Sequence, residues 1–149
     1  MFAYWLYRSR ALVKPRSPAD GLVYLQARTL NGALQVTGYL HRDATHYVQY
    51  VEGPVAAFRK LRQRILCDGR HSDIETLLRG VAPRRRFPAW DMAFTDEEIA
   101  SFAAFQRGRG QSTDIAHAPA QDLLAFMEDT ARDGRAGPAT DTRMPTFGR

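Results

Sequence analysis

Residues 36–54 read Val36-Thr-Gly-Tyr-Leu-His-Arg-Asp-Ala-Thr-His-Tyr-Val-Gln-Tyr-Val-Glu-Gly-Pro54. Gln35 to Leu40 and Tyr47 to Glu52 are rich in β-branched and aromatic residues, and Arg42-Asp43-Ala44-Thr45 between them is a polar turn, so the stretch predicts a hairpin. Gly53-Pro54 ends the second strand, and proline suits the first helical position because its missing N–H is one that a helix start leaves free anyway. Val55, Phe58, Leu61, Ile65 and Leu66 then recur at helical spacing, predicting a helix over 54–67 that Asp68-Gly69 stops. A hairpin running straight into an amphipathic helix is the middle of a split βαβ plan.

The flanks complete that plan. Phe2 to Ser9 has strand composition, with Ala3, Trp5, Tyr7 and Ser9 on one face and Phe2, Tyr4 and Leu6 on the other. Pro15, Ser17 and Pro18 break it, and Asp20 through Asn31 reads as a helix with Asn31-Gly32 as its stop. Asp73 to Leu78 and Phe87 to Phe94 read as two more strands around Pro83. The order is βαββαββ, an α+β ferredoxin-like sandwich with a five-stranded sheet. Thr95-Asp-Glu-Glu98 reads as a capping box opening a helix that buries Ile99, Phe102 and Phe105. A second helix is predicted near 119–132, with Leu123, Phe126, Met127 and Thr130 on one side. The expected units are 1–94, a two-helix cap at 95–132 and a disordered tail at 133–149, where Gly, Pro, Thr and Arg support no core. Phe2, Tyr4, Leu6, Val48 and Tyr50 make the sheet's second face apolar, and the C-terminal helices are the elements available to cover it.

Composition narrows the function classes. Of 149 residues, 44% are hydrophobic and 25% charged, near the averages for a globular protein. No apolar run approaches the ~20 residues of a membrane span, and no signal-peptide pattern opens the chain, so a soluble cytoplasmic protein is expected. A single cysteine, Cys67, permits no internal disulfide, and no Cys/His spacing reads as a metal site. Neither a Gly-rich phosphate loop nor a nucleophile elbow is present, and no acid/base constellation marks an enzyme. The net charge is +5, but residues 1–95 carry 15 Lys and Arg against 7 Asp and Glu, whereas 96–149 carry 6 against 9. A basic body favours a phosphate-bearing partner, either a nucleic acid or a nucleotide cofactor.

Tyr7 and Gln49 fall on the helix-facing side of neighbouring strands. A buried tyrosine is an ordinary core residue, but a buried glutamine must satisfy two donors and two lone pairs. Val23, Ala27 and Asn31 form one stripe at i, i+4 and i+8 of the first helix. Arg64 and Asp68 stand at i and i+4 beside Ile65 on the second, either facing inward or forming a surface ion pair. The two stripes could clasp a planar heterocycle.

These residues resemble the BLUF family of flavin-binding blue-light sensors. Tyr7-Arg8-Ser9, Asn31 leading into Val36-Thr37-Gly38-Tyr39-Leu40, Tyr47-Val48-Gln49-Tyr50-Val51-Glu52-Gly53, Asp68-Gly69-Arg70-His71 and Arg86-Phe87-Pro88-Ala89-Trp90-Asp91-Met92 follow the family's motifs in order over residues 2–94. The C-terminal helices are similar to those of short BLUF proteins without an attached enzyme. The resemblance implies an FAD cofactor, with FMN and riboflavin as alternatives. It implies Tyr7 as electron and proton donor, Gln49 as the hydrogen-bond switch, and Trp90 and Met92 on the fifth strand as relay. It further implies Ser9, Val23, Asn31, Arg64, Ile65, Asp68, Arg70 and His71 around the flavin. A downstream signalling protein or a second copy of the chain would receive the output. Tyr47 stands where the family commonly has phenylalanine.

A rival reading is an RNA-binding domain, because RNA-recognition motifs share the layout and stack bases on sheet aromatics such as Tyr4 and Tyr50. Arg84-Arg85-Arg86 would suit it. The Gly- and aromatic-rich signature of that fold is missing from 47–52, and the C-terminal helices would cover the face.

Overall fold

The computed structural model describes residues 1–137. Chain order gives β1 (Phe2–Ala11), α1 (Pro18–Leu34), β2 (Thr37–Arg42), β3 (His46–Pro54), α2 (Val55–Leu66), β4 (His71–Ala82), β5 (Ala93–Asp96), α3 (Phe102–Gly108) and α4 (Ala120–Arg132). The five strands form one sheet in the order β4-β1-β3-β2-β5, antiparallel except for β2 with β5. The α+β fold expected from the sequence is therefore present, with its strand–helix order.

Alternation along the strands sorts the core into two layers. Trp5, Tyr7, Leu40 and Val51 face α1 and α2 and pack with Tyr24, Leu61 and Met92. Leu6, Tyr39, Val48 and Tyr50 face the other way and pack with Phe102, Leu123, Phe126 and Met127 of the C-terminal helices. Each such side chain, once enclosed, contributes roughly 1.5–3 kcal/mol of apolar burial. Arg8 pins the cap to the sheet: its Nη1 donates to Ile115 O and Ala118 O, each at 2.9 Å. Tyr50 is buried beneath Phe87 and Arg86, so this face offers no stacking platform for RNA bases.

Four expectations need correction. Helix α1 does not stop at Asn31-Gly32. It runs to Leu34, and Gln35 is the left-handed cap (φ 57°), its N–H returning to Asn31 O and Gly32 O. The fifth strand is not Phe87–Phe94 but Ala93–Asp96, because the buried Glu52 carboxylate accepts from Arg86 N (2.8 Å) and Phe87 N (2.9 Å) and holds the preceding stretch as a loop. Thr95 opens no helix: it lies in β5, its hydroxyl bonded to Tyr39 and His41, and α3 begins later with Ser101 Oγ accepting from Ala104 N. The predicted tail is ordered through Gly137, since Ala136 N donates to Thr130 O and Gly137 O accepts from Phe94 N at 3.0 Å. The rest of that tail, 138–149, lies outside the described residues.

Among the described residues, no helix is long and apolar enough to cross a membrane and no cluster of His, Cys, Asp and Glu could hold a metal ion.

Candidate functional site

Helices α1 and α2 lie against the same sheet face, and a cavity of about 730 Å³ opens between them and the strands. Gln49 stands on its floor between its two cross-strand partners, Tyr7 of β1 and Leu40 of β2. Val23, Ala27 and Asn31 come from α1 at one-turn intervals. Arg64 and Ile65 come from α2, and Asp68, Arg70 and His71 follow at the entry to β4.

The Tyr7 hydroxyl donates to Gln49 Oε1, and Gln49 Nε2 points at Met92 Sδ, 3.7 Å away. Burial pushes the Tyr7 phenol far above its ordinary range, and the carboxylate of Asp68 pushes the same way. Tyr7 is thus a neutral, protonated donor across the physiological range. Asn31 is fully buried. Its Nδ2 donates to Asp91 O (2.9 Å), while its Oδ1 has no partner among the described residues. A buried acceptor left so costs roughly 1–3 kcal/mol, and this one belongs to a cavity wall, where it can meet a ligand N–H.

The rim is electrostatically organised. Burial alone would raise the Asp68 carboxyl, but hydrogen bonds from Arg70 outweigh it and hold the group below its usual range. Arg70 N and Nε donate to Asp68 Oδ1 at 3.0 and 2.9 Å, and Nη2 reaches Oδ2 at 2.8 Å. His71 Nε2 donates to Ile65 O (2.7 Å). A carbonyl only accepts, so that nitrogen carries the proton, and Nδ1 pairs with Ser9 Oγ at 2.7 Å.

Four sequence-selected residues stand elsewhere than expected. Ser9 is buried behind His71 and orients it rather than lining the cavity. Met92 and Trp90 precede β5. Met92 sits against Gln49, whereas Trp90 turns to the cluster beneath the C-terminal helices. Arg64 is exposed and makes no ion pair with Asp68, which Arg70 has taken.

Tyr47 was missed as a site residue although it lies on the cavity wall. Its hydroxyl donates to Asp20 Oδ1 (2.5 Å) and accepts from Arg42 Nη1 (2.8 Å), and Arg42 holds Asp20 at 2.7 Å. The shared face of positions 47 and 49 was readable from alternation. Arg42 is the cross-strand partner of Tyr47 in the hairpin, at a position read from the sequence as turn, whereas Asp20 is distant in sequence and carried no signal.

A family model described as “Sensors of blue-light using FAD” matches residues 2–93. The chain belongs to the BLUF family. It is accordingly a flavin-based blue-light sensor domain. BlrB, a BLUF protein solved in its dark state, is 25% identical with a TM-score of 0.69, the match covering 89% of this chain and 96% of BlrB. BlsA in its photo-activated state shares the fold at 22% identity and a TM-score of 0.72, over 87% of this chain and 94% of BlsA. Klebsiella pneumoniae BlrP1, solved with FMN and cyclic diGMP, is 26% identical with a TM-score of 0.62, over 90% of this chain but 35% of BlrP1. No curated protein matches the sequence.

The BLUF cavity fits a flavin ring. Its helical walls carry the apolar Val23, Ala27, Leu61 and Ile65, and the unmet Asn31 Oδ1 is an acceptor of the kind the ring's imide N–H requires.

Proposed function

We propose that this chain is a photoreceptor in which the Tyr7–Gln49 hydrogen bond is the light-operated element, with a flavin, FAD ahead of FMN or riboflavin, between α1 and α2. The observation that carries the reading is that bond, enclosed on the floor of a cavity whose wall also holds an unpartnered asparagine oxygen. A bound flavin supplies blue absorption and a transient sink for one electron and one proton. Tyr7, kept neutral by burial, gives up both together and recovers both, so the cycle is reversible. Gln49 is donor and acceptor at once, and rotating or tautomerising its amide exchanges which atom meets Tyr7 and which meets Met92. Asn31 and Arg64 hold the ring's polar edges. Val23 and Ile65 sandwich the ring, with Asp68, Arg70 and His71 at the rim and Ser9 fixing His71.

Met92, in contact with Gln49, passes the change to β5, and Trp90 passes it to the cap. In this reading residues 1–94 are the sensor and 95–132 the output unit, and the chain itself turns over no substrate. It works in the cytoplasm by altering binding to another protein or another copy of itself.

The test is the visible spectrum before and after blue light. A yellow protein with a small, reversible red shift is expected, with FAD as the extracted flavin; a colourless protein that takes up no added FAD overturns the reading. Gln49→Leu should keep the flavin and lose the shift, and a normal shift in that variant refutes the assigned switch. Identical oligomer size and partner binding in dark and light would remove the output assignment.

A further inference from the structure

Helix α2 carries Arg59, Lys60, Arg62 and Arg64 and no carboxylate. None of these cations forms an ion pair among the described residues. They divide between two flanks. Lys60 and Arg64, one turn apart, line the flavin cavity. Arg59, Arg62 and Leu66 lie on the other flank, where with Phe58 they line an adjoining groove of about 500 Å³, with Gln63 and Cys67 shared between the two.

That groove is both greasy and basic. Leu66 is 48% exposed and Val55, at the start of the same helix, 56%. The Arg62 guanidinium lies over the Trp5 ring, 5.9 Å from its centroid. Arg79 of β4 stands opposite Trp5 in the strand register, which brings a further exposed cation to the same indole on the helix side of the sheet. Arg59 and Arg62, at i and i+3, repel each other across open solvent, and an anion laid across them would relieve that repulsion.

We propose that this flank of α2, together with Arg79 of β4, docks an acidic, amphipathic segment of a separate protein. Its carboxylates would lie across Arg59, Arg62 and Arg79, and its apolar side chains would fill the groove over Phe58 and Leu66. A second copy of the chain is a poor occupant, because six of the nine carboxylates of its acidic half are already paired with arginines. Asp96 and Glu98 are taken by Arg16, Glu128 by Arg86, Asp122 by Arg109, and Asp129 and Asp133 by Arg135. A nucleic acid is also disfavoured: its phosphates would meet the cations but leave Leu66 and Val55 uncovered, and the groove holds a single, half-buried ring, Phe58, where stacking of successive bases needs several. The surface does not rest on the Tyr7–Gln49 reading, which the red shift tests separately.

The probe is a fluorescein-labelled helical peptide of Glu and Leu, titrated by anisotropy with the flavin-loaded full chain. A version with Lys in place of Glu and a single-stranded RNA of equal length serve as comparisons. Saturable binding of the Glu/Leu peptide is expected, about tenfold or more tighter than the Lys version. Arg59→Glu and Arg62→Glu together should weaken it by about tenfold, and Leu66→Ser should weaken it independently, with the flavin absorption band unmoved as proof of an intact fold. Absence of saturable binding, equal affinity in the variants, or tighter binding of the RNA overturns the proposal. So does self-association of the chain that is abolished by the charge reversals.

Discussion

Replacing Arg42 with methionine keeps most of the side-chain volume and removes the cation from the most enclosed ion pair among the described residues, with Arg42 2% and Asp20 8% exposed at the side chain. Arg42 Nη1 lies 2.7 Å from Asp20 Oδ1 and 2.8 Å from the Tyr47 hydroxyl. Its Nη2 donates to Val13 O at 2.6 Å and its Nε to Asp43 O at 2.7 Å. Methionine would leave Asp20 with the Tyr47 hydroxyl and Arg16 N as donors but no counter-charge. Losing one partner of a buried pair costs about 3–5 kcal/mol. With about 3 °C of Tm per kcal/mol for a chain of this size, the melting temperature should fall by about 9–15 °C. Asp20→Asn should cost less, because Arg42 keeps two backbone carbonyls and the new amide oxygen as acceptors. The double variant should cost less than the sum of the singles by about 1–3 kcal/mol. Thermal melts followed by circular dichroism measure all three. A fall under about 3 °C for Arg42→Met, or strict additivity in the double variant, would refute the idea of a dry, coupled pair.

Arg8→Ala removes the donor from two cap carbonyls and should cost about 2–4 kcal/mol, read as faster proteolysis between 109 and 118 in a chain whose flavin band is retained. Asn31→Ala removes both the tie to Asp91 and the free acceptor and should weaken flavin binding by about tenfold or more in an equilibrium titration; unchanged affinity would remove Asn31 from the flavin contacts. His41 is buried, and burial pulls its pKa down from 6.5 to about 4. The unfolded chain therefore binds one more proton than the folded chain between those values. Its contribution to stability is complete above about pH 6.5 and is lost as the pH falls toward 4, at about 1.4 kcal/mol per unit. His41→Gln should flatten that part of the urea-measured pH profile, and an unchanged slope would contradict the assignment.

The strand–helix order and the two-sided core were legible because each strand alternates cleanly: Trp5 and Tyr7 against Leu6, Gln49 against Val48 and Tyr50. The cavity stripe was legible for the same reason, since Val23, Ala27 and Asn31 repeat at helical spacing and all reach the wall. Local signals misled where a tertiary partner outbid them. Asn31-Gly32 has the composition of a helix stop, yet Val36 N and Gln35 N both return to the last turn and carry the helix to Leu34. Thr95 has the composition of an N-cap, yet two buried groups, Tyr39 and His41, claim its hydroxyl. Residues 87–92 have strand composition, yet a single buried carboxylate thirty-odd residues earlier, Glu52, holds their backbone off the sheet. Of the Asp20–Arg42–Tyr47 triad, the Arg42–Tyr47 pair follows from the hairpin, but Asp20 left no trace in the sequence because only the fold joins it to them.

The sheet is closed unequally at its two sides. At β5 the chain itself returns, Gly137 bridging Phe94, whereas no strand among the described residues pairs with the outer side of the twelve-residue β4. Growth of a β-structure by strand addition needs two free sides per molecule if it is to continue indefinitely. With one side obstructed at Phe94, an encounter along β4 is the easier one and uses up the free side of both molecules. The short backbone return at residue 137 therefore hinders strand addition at β5 and leaves β4 as the freer side, biasing any edge-to-edge association toward a pair of β4 strands rather than a fibre.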